Sequence, residues 1–188
     1  AASDVYKRQE KFIDILGSVA ETMITNNYAD HIYTLSKGIS WITFQNECAA
    51  IRIDDQLCKQ GKGITLYSSF KQNLKGDKIY TVFEDSEGDE WILTNKGISI
   101  IGKKQVDSDF PFQYIKEADG IIYLVSQSDK LASYNFKTRQ FKFIEIPYHV
   151  SMINEVKKFD SNTLLLATDN GLIIYKIKEK EFQLIDIR

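Results

Sequence analysis

Residues 78–101, KIYTVFEDSEGDEWILTNKGISII, set the pattern for the chain. An alternating run, residues 79–84, leads to the turn Asp85-Ser86-Glu87-Gly88. A second apolar run beginning at Trp91 leads to the turn Asn95-Lys96-Gly97, and a third run covers residues 98–101. The runs are short and rich in β-branched and aromatic residues, and each turn joins glycine to Asp or Asn. This pattern predicts a meander of three antiparallel strands.

The same plan recurs. Residues 11–15, 142–146 and 183–187 share the pattern polar, apolar, Ile, acid, Ile. Ile146 and Ile187 are 41 residues apart, and Ile15 and Ile146 are 131 apart, close to three such steps. Thr94-Asn95-Lys96-Gly97-Ile98 matches Thr168-Asp169-Asn170-Gly171-Leu172, with the two glycines 74 residues apart, two repeats of similar length. Pro111 and Pro147 stand at repeat boundaries, which suits a residue unable to donate to a central ladder.

Four repeats follow, at about residues 19–74, 76–110, 111–146 and 147–188. Strands are predicted at 31–36, 39–44, 48–53 and 64–68 in the first and at 112–116, 121–126, 131–135 and 140–146 in the third. In the fourth they fall at 153–159, 163–168, 172–177 and 181–187. Residues 12–16 read as the outer strand of an earlier repeat. Phe12, Leu16, Val19 and Met23 also fit helical spacing, but Gly17 and the match to the other repeat ends favour strand.

Four-stranded units of about 40 residues indicate β-propeller blades. Such a sheet is apolar on both faces and is buried by stacking on its neighbours. The predicted fold is therefore all-β, a partial propeller of about four four-stranded antiparallel blades plus one leading strand over residues 11–188. A small closed four-bladed ring is the less favoured alternative. Residues 1–10 stand outside the repeat. AASDVYKRQ looks like translated read-through, and the segment is read as a non-native or disordered leader.

Composition narrows the function classes. The chain has 188 residues, 43% hydrophobic and 27% charged, which describes a globular protein. A formal net charge of −2 offers no electrostatic footprint for nucleic acid or an anionic membrane. No apolar run approaches the ~18 residues of a membrane span. Cys48 and Cys58 are too few for a disulfide framework; they pair if their strands are neighbours and are otherwise two reduced thiols.

Each candidate residue has a structural role to set against a functional one. The acidic turn from Glu84 to Glu90 could offer carboxylates to a hard cation. It equally suits a hairpin in which Asp85 caps the turn and Gly88 supplies positive φ, and its spacing is not that of an EF-hand loop. Trp41 and Trp91 open the second strands of their repeats. They are either stacking platforms or inter-blade core, and Tyr123 and Leu165 at the same place favour core. Thr94 and Thr168 recur at one position, which points to a structural hydroxyl. His31 and His149 have no triad partner at a suggestive spacing, and Tyr148 with His149 forms a weak candidate for ligand contact at a blade boundary. Arg52 and Arg139 are isolated. No Gly-rich phosphate loop or hydrolase motif is present, so no catalytic residue, cofactor or metal ligand is assigned.

Glu84-Asp85-Ser86-Glu87-Gly88-Asp89-Glu90-Trp91-Ile92-Leu93-Thr94-Asn95-Lys96-Gly97-Ile98 resembles the two-component regulator propeller repeat. That repeat has an acidic turn ending in Gly, then Trp-Ile-Gly-Thr, two residues and Gly-Leu. The stretch from Leu165 to Leu172, with Thr168 and Gly171, resembles it with Leu for Trp, and Gly38 to Thr43, with Trp41, is a looser copy. Leu93 and Ala167 replace the usual Gly. The resemblance implies a non-catalytic, periplasmic sensor segment of a bacterial hybrid two-component system. It further implies an oligosaccharide ligand, tandem propellers, a downstream membrane helix and kinase outside this chain, and a homodimer. A protein-interaction platform is the alternative, and a propeller lyase or glycosidase a third.

Overall fold

The computed structural model describes residues 28–45, 49–68, 74, 76, 78–102, 111–135, 138 and 140–185. The predicted leading strand, the leader, Cys48 and Arg139 lie outside them. The described chain forms four antiparallel meanders. The first sheet is β1 (Ala29–Thr34), β2 (Ile39–Phe44), β3 (Ala49–Asp54) and β4 (Ile64–Ser68). The second is β5 (Ile79–Glu84), β6 (Glu90–Thr94) and β7 (Gly97–Ile100). The third is β8 (Phe112–Ala118), β9 (Ile121–Ser126), β10 (Leu131–Asn135) and β11 (Gln140–Ile144). The fourth is β12 (Ile153–Asp160), β13 (Thr163–Thr168), β14 (Gly171–Lys176) and β15 (Glu181–Ile185). In every sheet sequential strands are hydrogen-bonded neighbours, as in propeller blades.

β2, β4, β5, β9, β10 and β13 coincide with runs read from the sequence. Three differences have local causes. β8 runs on through Ala118, because the chain reverses only at the positive-φ pair Asp119 and Gly120. β6 begins one residue before Trp91, because Glu90 already pairs with Glu84 of β5. In the first sheet the connection from β3 to β4 contains one helical turn, α1 (Asp55–Cys58). Its start is capped by Asp54, whose Oδ1 accepts the N–H groups of Gln56 and Leu57, both at 3.1 Å. The second sheet has three described strands rather than four, and residues 103–110, where a fourth would fall, lie outside the described residues.

Middle strands are apolar on both faces because each face meets another sheet. In β6 all five residues are buried. Trp41 packs with Ile79, Val82 and Ile92 between sheets one and two. Trp91 packs with Phe112, Ile115 and Leu124 between sheets two and three. Tyr123 packs with Val156, Leu164 and Leu166 between sheets three and four. At roughly 1.5–3 kcal/mol per fully buried large apolar side chain, these three junctions hold the arc together. The outer face of sheet four has no described sheet against it, and there Leu165 and Ile174 are only half-buried.

Candidate functional site

The acidic turn after β5 is an organising hairpin. Asp85 is buried, and its carboxylate turns inward. Oδ1 accepts the N–H groups of Glu87 (3.0 Å) and Asp89 (2.9 Å), and Oδ2 accepts the Trp91 indole N–H at 2.8 Å. Gly88 supplies the left-handed step, with φ of 84°. Asp85 therefore ties the turn to the largest core side chain of its sheet. Among the described residues no three His, Cys, Asp or Glu side chains are grouped to hold a metal ion.

Across the first junction stands a polar cluster not foreseen from the sequence. Trp41 donates its indole N–H to Glu90 Oε2 at 2.6 Å. Arg52 grips the same carboxylate through Nε (2.9 Å to Oε2) and Nη2 (2.7 Å to Oε1), and its Nη1 lies 3.7 Å from Asp54. The side chains of Arg52 and Glu90 are 17% and 9% exposed, so this is a nearly buried, bidentate ion pair between sheets. Its hydrogen bond to Glu90 is the main cause holding the Arg52 guanidinium above the ordinary arginine value, against the opposing effect of burial. In the sequence Glu90 reads only as one more acid of the turn, and Arg52 as isolated. The pairing joins residues 38 positions apart, beyond the reach of local pattern.

A second inter-sheet contact occurs twice. Ser36 and Ser86 each lie five residues before the tryptophan of their own sheet. Ser36 donates its N–H (2.6 Å) and hydroxyl (2.5 Å) to Glu84 of the next sheet. Ser86 does the same to Glu117, at 2.7 and 2.5 Å. At the third junction Ala118 and Asp119 follow Glu117, and the bridge is instead Asp119 to Lys178 at 3.7 Å. Burial pushes the Glu84 carboxyl up, but the Ser36 hydrogen bonds and Lys37 outweigh it and hold it below the usual glutamate range. A lowered folded-state value means this contact contributes stability above the unfolded glutamate pKa and loses it as pH falls through the folded value. Ser36→Ala is therefore expected to lower stability at neutral pH by under about 1 kcal/mol, and to leave the variant and wild type alike at the acid end. Urea unfolding across pH 3–7 reads this; a constant difference at every pH would refute the linkage.

The Thr-x-x-Gly motif has one geometry in two sheets. Thr94 donates to Gly97 O at 3.0 Å and accepts the Lys96 N–H at 3.3 Å. Thr168 donates to Gly171 O at 2.7 Å and accepts the Asn170 N–H at 3.2 Å. At Gly171 φ is 122°, and a Cβ would stand 2.5 Å from Ile185 O, so only glycine fits. The residue after each threonine reaches the entry of the first strand. Asn95 Oδ1 accepts the Lys78 N–H, and Asp169 Oδ1 accepts those of Ser151 and Met152. The hydroxyls and glycines close the middle turn, and Asn95 and Asp169 tie it to the entry of its own sheet.

Tyr148 and His149 lie at the rim between sheets three and four. They line a cavity of about 560 Å³ with Asp129, Lys130 and Phe143. A second cavity of about 490 Å³ shares Phe143 and is walled by Tyr123 and Tyr175. Burial, helped by Tyr175 and Asp119, pushes the Tyr123 phenol up to about 12. The Tyr148 hydroxyl is occupied, donating to Phe182 O at 3.0 Å. His149 is exposed, and its backbone O accepts from Asn170 Nδ2 at 3.2 Å. His31 lies far away on β1, with Nδ1 3.3 Å from Asp30. Among the described residues neither histidine side chain is hydrogen-bonded to a serine, threonine or cysteine. Cys58 is a free, half-buried thiol.

No protein-family model and no curated protein matches the chain by sequence. Solved structures do match. The extracellular domain assigned to the hybrid two-component system BT4673 from B. thetaiotaomicron aligns with 86% of this chain at 20% identity and a TM-score of 0.65. That of BT3049 from the same organism aligns with 85% at 21% identity and a TM-score of 0.64. Virginiamycin B lyase from Staphylococcus aureus, solved with quinupristin, aligns with 86% at 21% identity and a TM-score of 0.65. The alignments take in 24%, 22% and 56% of those three chains, so this chain spans about a quarter of the sensor domains' length. At such identities the likeness shows the fold: the propeller architecture is shared with extracellular domains of two-component systems and with a lyase.

Proposed function

We propose that this chain is a sensing segment of a propeller in a bacterial hybrid two-component sensor, placed in the periplasm, with blades at residues 19–74, 76–110, 111–146 and 147–188. In this proposal it binds an oligosaccharide and relays through downstream domains to a histidine kinase outside the chain, in a homodimer. The observation that carries the proposal is the shared fold with extracellular domains of two such systems, together with the repeat built on Asp85, Gly88, Trp91, Thr94 and Gly97. A sensor needs only differential affinity for two arrangements of its domains.

A protein-interaction platform without a small ligand is the second proposal, favoured by Phe159, 72% exposed on β12, and by the half-exposed Phe143. Calorimetric titration of glycan fragments into the whole extracytoplasmic region separates the two. Saturable heat from one glycan class is the expected result, and a flat response to every glycan would leave only the platform.

A further inference from the structure

Each sheet breaks its regular pairing in its first strand, and at one equivalent position. The register shifts by a residue between Ile79 and Thr81, between Phe112 and Tyr114, and between Ile153 and Glu155, and likewise between Ala29 and Ile32. The partners of the residues opening these shifts are Thr94, Ser126, Thr168 and Phe44, the same repeat position four times. A β-bulge is therefore built into the first strand of every blade. The first strands of sheets two, three and four approach one another directly, as the strands lining a propeller's axis do. Bulges re-aim side chains and gather next to functional sites.

The backbone of this feature is repeated, but its side chains are not. The residues bracketing each bulge in sheets two to four are buried and apolar: Ile79 and Val82, Phe112 and Ile115, Ile153 and Val156. Between them stand Tyr80-Thr81, Gln113-Tyr114 and Asn154-Glu155, with Asp30-His31 in sheet one, all half-buried or exposed. Opposite the bulge, Thr94, Ser126 and Thr168 keep a hydroxyl in sheets two to four, where sheet one has Phe44. Within the bulges the sheets present different amide, carboxylate, imidazole, phenol or hydroxyl groups on one repeated frame. A ligand can touch each of these strands through a different part of itself.

The frame is held from neighbouring blades. Tyr33 donates its hydroxyl to Tyr80 O at 3.4 Å, and Tyr114 donates to Asn154 O, so each of these bulge carbonyls is bonded by a tyrosine of the preceding blade. Gln113 Nε2 donates to Gln127 Oε1 at 2.9 Å, and Lys78 Nζ stands 5.8 Å from the Tyr80 ring centroid. The side chains of Asn154, Glu155 and His31 remain open to solvent.

Resting on the carbohydrate ligand proposed above, we infer that the bulged first strands form an axial binding wall for a polyhydroxylated ligand. Amide and carboxylate groups of Gln113, Asn154 and Glu155 would pair with sugar hydroxyls. The competing site is the rim cavity beside Phe143 and His149.

The test uses the full-length protein and the glycan that gives the strongest calorimetric heat with wild type. Asn154→Ala and Glu155→Ala are expected to weaken binding tenfold or more. Asn154→Asp, which keeps the side chain's shape but removes its donors, is expected to weaken it as well. Phe143→Ala and His149→Ala at the rim are expected to stay within twofold. Melting temperatures within 2 °C of wild type, an order-of-magnitude tolerance, show that each variant is folded. Axial variants that bind like wild type, or rim variants that lose binding instead, overturn the axial wall and leave carbohydrate sensing standing. A wild type that binds no glycan overturns the sensing proposal, and the wall falls with it.

Discussion

Replacing Glu90 with alanine lowers the unfolding free energy by about 3–5 kcal/mol, the range for removing one partner of a buried ion pair. The loss comes less from the bond itself than from what remains. Arg52 would keep its charge at 17% side-chain exposure with only the more distant Asp54 near it, and the buried Trp41 indole N–H would have no acceptor. Arg52→Ala in the same background should restore part of the loss, since the stranded charge is then gone. The double variant is expected to be less destabilised than the sum of the single ones. Chemical denaturation followed by tryptophan fluorescence measures this, because the chain's two tryptophans, Trp41 and Trp91, both sit in inter-sheet cores. Additive single and double effects would show that the pair is not coupled across the junction.

The second large effect is at Trp91. Trp91→Ala is expected to cost about 3–5 kcal/mol, from the lost burial of a fully enclosed indole and the cavity left between sheets two and three. Leu165→Ala, at the equivalent register of the fourth sheet, should cost well under half of that, because Leu165 is only half-buried. Asp85 adds a polar component. Asp85→Ala strands the N–H groups of Glu87 and Asp89 and the Trp91 indole, an expected loss of about 2–4 kcal/mol. In a Trp91→Phe background the same change should cost less, since the indole donor is absent. Equal costs in both backgrounds would mean that the hydrogen bond from Trp91 to Asp85 carries no stability.

Much of this architecture was legible because it is written in local, periodic terms. Glycine with Asp or Asn at fixed steps marked the reversals, and β-branched runs marked the strands. The interchange of Trp41, Trp91, Tyr123 and Leu165 at one register pointed to inter-sheet core, where three of them lie buried. The helical turn Asp55–Cys58 was missed because four residues are too few for a 3.6-residue period to show. The capping by Asp54, two and three residues ahead of its partners, was the one available signal.

The contacts between sheets were less legible. Ser36 and Ser86 share an offset from their tryptophans, so the repeat held a trace of the contacts to Glu84 and Glu117, but nothing in one strand's sequence names its acceptor in the next sheet. The same holds for the bulges. Alternation slips by one residue in β5, β8 and β12, visible as buried residues three apart instead of two. In sequence such a slip reads as an imperfect strand.

By itself, the order of residues settled the all-β class, the repeat length and the four-sheet plan, since strand and turn preferences act over a few neighbouring residues and recur with the repeat. Which polar groups meet was decided only when the sheets stacked. Arg52 and Glu90 are partners because two blades bring them within 2.7 Å, and Ser86 meets Glu117 for the same reason. Those outcomes depend on contacts between residues distant in the chain, and no local preference encodes them.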